Sequence, residues 1–205
     1  MNAAAHRAAP EDAAGIGPGP LVLVCGPSGA GKDTLIKRAS EILSHDRRVV
    51  FVRRVVTRAP SPFEDNVSVD AARFRRMAED GAFAFWWEAH GHHYAIPSSV
   101  NSDIASGRAA VANVSRLAIE EISRAYQHAI TVLITASDEI LRERLGSRAR
   151  EREQDVASRL TRSQETQGRF RPDATIVNEG AIDIAANSLV GVIRNGLLAA
   201  SASPV

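Results

Sequence analysis

The sequence predicts an α/β fold, a parallel sheet covered by helices on both faces, from three features. Residues 21–25 form an unbroken apolar run that passes straight into a glycine-rich loop and then a helical pattern. Residues 109–114 and 130–136 are strongly β-patterned, and each precedes a helical stretch. Strands alternating with helices build a parallel sheet whose ligands lie beyond the strands' carboxyl ends.

Taken in order, residues 1–19 are rich in Ala, Gly and Pro, lack a signal-peptide pattern and read as a mobile tail. Residues 20–200 then read as one domain. A buried strand over 21–25 leads to a helix over 32–43. Residues 49–56 read as a second strand, broken by Arg53-Arg54. Asp70 caps a helix to about residue 80, with Phe74 and Met77 on one face. Residues 83–87 and 93–96 suit short strands of a small antiparallel unit. Pro97-Ser98-Ser99 opens a short helix that Gly107 ends. Residues 175–177 form a last strand before a helix over 182–198. The segment 58–107 breaks the strand–helix rhythm and is expected to bind a phosphate acceptor. Residues 149–155 are mostly charged, and a lid is expected over about 145–156.

The chain has 205 residues, 44% apolar and 5% aromatic, enough for an ordinary core. A net charge of +1 argues against a nucleic-acid partner held by bulk electrostatics. The single cysteine, Cys25, excludes an intramolecular disulfide and makes a cytoplasmic setting the expectation. No stretch reads as the uninterrupted apolar run of about 18 residues that a membrane span needs, so no membrane partner is expected.

The chemistry concentrates in Gly26-Pro27-Ser28-Gly29-Ala30-Gly31-Lys32-Asp33-Thr34. This fits the phosphate-binding loop G-x-x-x-x-G-K-[ST] except that Asp33 replaces the hydroxyl residue. Glycines let successive N–H groups turn toward phosphate oxygens, and the following helix aims its positive end at the same anion. Lys32 supplies a compact charge for the outer phosphates. A nucleoside triphosphate is the ligand this loop predicts. The Asp33 carboxylate and the Thr34 hydroxyl both stand as magnesium ligands.

Arg58 follows the second strand, where a guanidinium can clamp an acceptor phosphate. Tyr94 can donate its hydroxyl to the same group or pack. Arg144, Arg148 and Arg159 lie where a lid would place charge around a migrating phosphoryl group. His90, His92 and His93 cluster without thiolates or an obvious fourth ligand, a poor zinc set.

The order of parts resembles the guanylate kinases, P-loop NTPases with a three-layer parallel sheet, an acceptor-binding insertion and a lid. The resemblance rests on the loop from Gly26 to Lys32, Thr57-Arg58-Ala59-Pro60, Trp86 through Tyr94, Arg144-Leu145 with Arg148, and Val177-Asn178-Glu179. Ser61 stands where guanylate kinases carry a second arginine. Phe85 stands where they carry a guanine-reading acid, and Asn66-Val67-Ser68 replaces a segment with a phosphate-holding Tyr. Losing a carboxylate that pairs with the base undermines guanine selectivity.

The chain more closely resembles the ribose 1,5-bisphosphate phosphokinases, through Gly31-Lys32-Asp33-Thr34, Glu64-Asp65-Asn66 and Asn113-Val114-Ser115-Arg116. That resemblance implies ATP with Mg2+ as donor and ribose 1,5-bisphosphate as acceptor, both small-molecule substrates. Lys32, Arg144 and Arg148 would act on the transferring group. Arg58, Glu64, Tyr94, Asn113, Ser115, Arg116 and Arg159 would hold the acceptor. A homodimer is compatible with the sequence and not required by it. A nucleoside monophosphate kinase is the alternative within the class. A silent protein-binding module is the alternative outside it, although such modules typically lose the loop lysine that Lys32 retains.

Overall fold

The computed structural model describes residues 6–7, 15–61, 64–148 and 171–202. The elements are β1 (His6–Arg7), β2 (Leu21–Cys25), α1 (Lys32–Ile42), β3 (Val49–Phe51), β4 (Val55–Val56), β5 (Val67–Ser68), α2 (Ala71–Glu79), β6 (Phe83–Ala89) and β7 (His92–Pro97). They continue with α3 (Ser99–Ala105), β8 (Ala109–Asn113), α4 (Arg116–Ser123), β9 (Ala129–Thr135), α5 (Asp138–Arg148), β10 (Ala174–Val177) and α6 (Ile182–Ala202).

An all-parallel sheet runs in the order β10-β9-β2-β8-β3. The earliest of its strands, β2, is central, with Val22 opposite Val111 on one side and Ile130 on the other. All five residues of β2 are fully buried, so a continuous apolar run is what this position demands. Its residues alternate between two cores. Leu21, Leu23 and Cys25 pack with Val100 and Ile104 of α3 and with Ala118, Ile119 and Ile122 of α4. Val22 and Val24 pack on the opposite face with Leu35 and Ala39 of α1 and with Leu189 and Ile193 of α6. Among the described residues α6 alone is long and apolar enough to cross a membrane, but here its apolar side covers the sheet.

A second, smaller sheet runs β1-β6-β7-β4-β5. Its core is the β6–β7 hairpin, reversed at His90 and Gly91, both with positive φ. One face sends Phe85, Trp87, Tyr94 and Ile96 into the core beneath the parallel sheet. The other packs Val55, Phe83 and Ala95 on Phe74 of α2, whose cap is the Asp70 carboxylate accepting from the Arg73 N–H at 2.7 Å.

Two sequence expectations need correction. Residues 49–56 are not one interrupted strand, because β3 and β4 belong to different sheets. A charged pair cannot continue a strand buried on both faces, so the chain leaves the parallel sheet after Val52 donates to Val111 at 2.9 Å. Residues 1–19 are not wholly a free tail. β1 pairs antiparallel with β6, His6 opposite Trp86, and covers what would be an open edge. Ile16 donates to the Ala125 carbonyl at 2.8 Å, accepts from Gln127 at 2.9 Å, and packs on the core.

Candidate active site

The carboxyl ends of β2, β8, β9 and β10 converge on one loop. At Gly26 φ is 151°, and a Cβ there would overlap the Ile134 carbonyl oxygen. Gly31, at φ 81°, caps α1, and a Cβ there would sit 2.5 Å from Asn178 Nδ2. Only glycine fits either place. Asn178, just past β10 and buried, donates from Nδ2 to the Ala30 carbonyl at 2.9 Å and so braces the loop from beneath. The neighbouring Glu179 carboxylate accepts from the Ser137 N–H beyond β9.

Lys32 Nζ donates to the carbonyls of Gly26 at 3.0 Å and Pro27 at 2.9 Å, which holds the ammonium over the loop. Burial pushes its pKa down, the adjacent Asp33 opposes that shift, and Arg54 and Arg116 add to it. Arg144 reaches the loop from α5. Its Nη2 donates to the Asn178 carbonyl at 3.0 Å, and Nη1 lies 3.8 Å from where a Cβ on Gly31 would stand.

Asp33 points across the cleft, and its Oδ1 accepts from Asn113 Nδ2 at 2.8 Å, at the end of β8. Thr34 is exposed one step further round α1. Ser115 sits at the N-cap of α4 and Arg116 begins the helix. The Arg116 charge acts on both Lys32 and Cys25, which places it at the same strand ends.

The second sheet supplies the opposite wall. Thr57 is latched to β7 by its N–H to the His93 carbonyl at 3.0 Å and by the His93 N–H to Thr57 Oγ1 at 2.8 Å. That latch sets Arg58, which donates to the Glu64 carboxylate. Glu64 also accepts from Asn66 Nδ2 at 2.8 Å. Tyr94 is buried and stacks on Trp87, centroids 5.9 Å apart. Its ring lies 5.6 Å below the guanidinium carbon of Arg54.

A guanylate kinase family model matches residues 18–195. The ribose 1,5-bisphosphate phosphokinase of Bradyrhizobium diazoefficiens is 49% identical, over 90% of this chain and 92% of that protein. That of Rhodopseudomonas palustris is 46% identical over 88% and 91%. The chain belongs to the ribose 1,5-bisphosphate phosphokinase branch of the guanylate kinase family. A crystal structure of guanylate kinase from Anaplasma phagocytophilum superposes with a TM-score of 0.65 at 21% identity, covering 90% of this chain and 88% of that one, and it shares the fold.

Within that family frame the departures from guanylate kinase have physical addresses. Phe85 is 1% exposed and faces Tyr126 with centroids 6.1 Å apart, so the position is part of the hydrophobic core. Glu88 is exposed on the outer part of β6. His93 packs against Phe74 and Trp86, at 5.3 and 5.9 Å. Arg148 ends α5 with its side chain outside the described atoms, and Arg159 and most of the expected lid lie outside the described residues.

Sequence reasoning missed Arg54, Asn66 and Asn178 as parts of this site. Arg54 registered only as a strand breaker. The available signal was a charge inside an apolar run, since arginine is seldom buried without carboxylate partners.

Proposed function

We propose that the chain transfers the terminal phosphoryl group of ATP to the 1-phosphate of ribose 1,5-bisphosphate, giving ADP and 5-phosphoribosyl diphosphate. The named relatives support this reading. The observation that carries it within the site is Phe85. A core phenylalanine replaces the acid that a guanine-specific kinase needs, and a sugar phosphate has no base edge to read.

In the proposed step a 1-phosphate oxygen attacks the terminal phosphorus in line. The bond from that phosphorus to the bridging oxygen breaks, and its electron pair leaves on ADP. The attacking oxygen is already anionic, so no protein base is required. Lys32 turns from the Gly26 and Pro27 carbonyls to the outer phosphate oxygens, and Arg144 with Arg148 balances charge on the migrating group. Arg58, Arg116 and Arg159 hold the acceptor phosphates, while Glu64, Tyr94, Asn113 and Ser115 shape the sugar site. Magnesium, when bound, neutralises donor charge. Asp33 fits it as an oxygen donor, since its carboxylate is 32% exposed beside the loop and turned toward the cleft.

The test is ADP release with magnesium and ATP, offering ribose 1,5-bisphosphate and GMP in parallel at equal concentration. Turnover with the sugar bisphosphate alone is expected. Turnover with GMP alone overturns the reading and makes Glu88 the base contact to pursue.

A further inference from the structure

Arg54 is the one charged side chain among the buried residues described, and nothing in the proposed phosphoryl transfer yet uses it. It lies in the turn where the chain passes from the parallel sheet to the second sheet. Its side chain is 10% exposed, against 32% for Asp33 and 35% for Arg58, so it forms the floor of the cleft between them. Nη2 sits 3.7 Å from Asp33 Oδ1 and 3.6 Å from Glu64 Oε2. Nε donates to Asn66 Oδ1 at 3.2 Å.

Each carboxylate has a second holder on its own side of the cleft. Asn113 grips Asp33 from the end of β8, and Arg58 with Asn66 grips Glu64 from the acceptor segment. Among the described residues Arg54 alone lies within 4 Å of both. The two carboxylates face one nitrogen, and that nitrogen is beyond hydrogen-bond reach of either, so the charge is shared between them. A buried guanidinium is costly unless opposite charges compensate it, and here removing it would leave two carboxylates facing each other. A lysine could place one charge there but could not use Nε on Asn66 and Nη2 between the acids at once.

We infer that Arg54 is a positioning residue that sets the phosphate loop against the acceptor segment, by holding Asp33 and Glu64 at fixed distance through one buried guanidinium. Loss of Arg54 therefore weakens both substrates together, although it belongs to neither the phosphate-loop motif nor the Thr57-Arg58 clamp. The inference rests on the phosphoryl-transfer reading above, and its test separates the two. If the parent chain has no turnover with ribose 1,5-bisphosphate, that reading fails; magnesium–ATP affinity, measured directly by calorimetry, still reports on Arg54.

The experiment compares the full chain with Arg54→Met, Arg54→Lys, Glu64→Gln and the Arg54→Met/Glu64→Gln pair. It measures the Kd for magnesium–ATP, the acceptor KM and the thermal midpoint. Arg54→Met should raise both constants about tenfold or more in protein that is folded. Arg54→Lys should restore most of the thermal midpoint while leaving both constants raised, a split that a merely structural role would not produce. The Kd for magnesium–ATP of the double variant should be no worse than that of Arg54→Met alone, because Glu64 reaches the phosphate loop only through Arg54 among the described contacts. Constants within about twofold of the parent in folded Arg54→Met, multiplying effects in the double variant, or failure of both Arg54 variants to fold would each overturn the inference.

Discussion

The side-chain amide of Asn113 donates a 2.8 Å hydrogen bond to the carboxylate of Asp33, joining the end of β8 to the start of α1. At both positions the chain departs from guanylate kinases, which place a hydroxyl where Asp33 stands and usually an acid where Asn113 stands. The two departures face each other. In this chain the carboxylate stands on the phosphate loop and the amide at the strand end.

If that exchange preserves one function, the pair can be swapped back. Asp33→Ser alone should lower kcat by about 10²-fold, as for loss of one preorganised charged group. Asp33→Ser combined with Asn113→Asp should recover about tenfold of that loss. Steady-state kinetics at saturating magnesium decides it, and a double variant slower than Asp33→Ser alone would show that the two positions act independently.

Lys32 carries charge that burial disfavours, and its present partners are two carbonyls of its own loop. Lys32→Met should therefore reduce turnover by about 10² to 10⁴-fold without lowering the thermal midpoint. Single-turnover kinetics and a melting curve on the same preparation check both halves.

The Glu64 carboxyl is pushed up by burial, but the Arg58 hydrogen bond, both guanidinium charges and Asn66 outweigh this and hold it below its ordinary 4.5. A depressed folded pKa means stability that is fully present above 4.5 and lost as pH falls through the folded value. Thermal midpoints should fall on acidification below pH 4.5 in the parent and fall less in Glu64→Gln. Parallel pH profiles for the two proteins would contradict this.

Burial pushes the Cys25 thiol up to about 11, against the lowering pull of Arg116 and Lys32. Its share of stability is fully present below its ordinary 9.0 and is lost as pH rises through about 11. Native protein at pH 8 should resist iodoacetamide, while protein in denaturant should be alkylated once. Intact-mass spectrometry reads the difference, and rapid native labelling would show that the floor of the cleft opens.

Much of the parallel sheet was legible because strands buried on both faces leave runs such as Leu21–Cys25 with no polar interruption. The β6–β7 hairpin was legible from its aromatic residues. The passage between sheets at residues 52–54 was not, because Val49 to Val56 is apolar on both sides of the arginines and pairing is decided by distant partners. β1 was hidden by a composition that favours no strand. Within the site, the loop, Lys32 and Thr57-Arg58 carry local signatures. Arg54 shows in the sequence only as a charge inside an apolar run, since its carboxylates stand on separate segments and only the fold brings them to one nitrogen.

The brace beneath the phosphate loop has a consequence for synthesis on the ribosome. Asn178 grips the Ala30 carbonyl across 148 positions of sequence, and β2 lies between strands that are all made after it. A chain emerging amino-terminus first displays its nucleotide-binding signature early and completes it almost last. Nascent chains halted before β10 should therefore be blind to ATP, and nucleotide cannot template the early fold. The loop becomes a binding site only when the far end of the polypeptide arrives to support it.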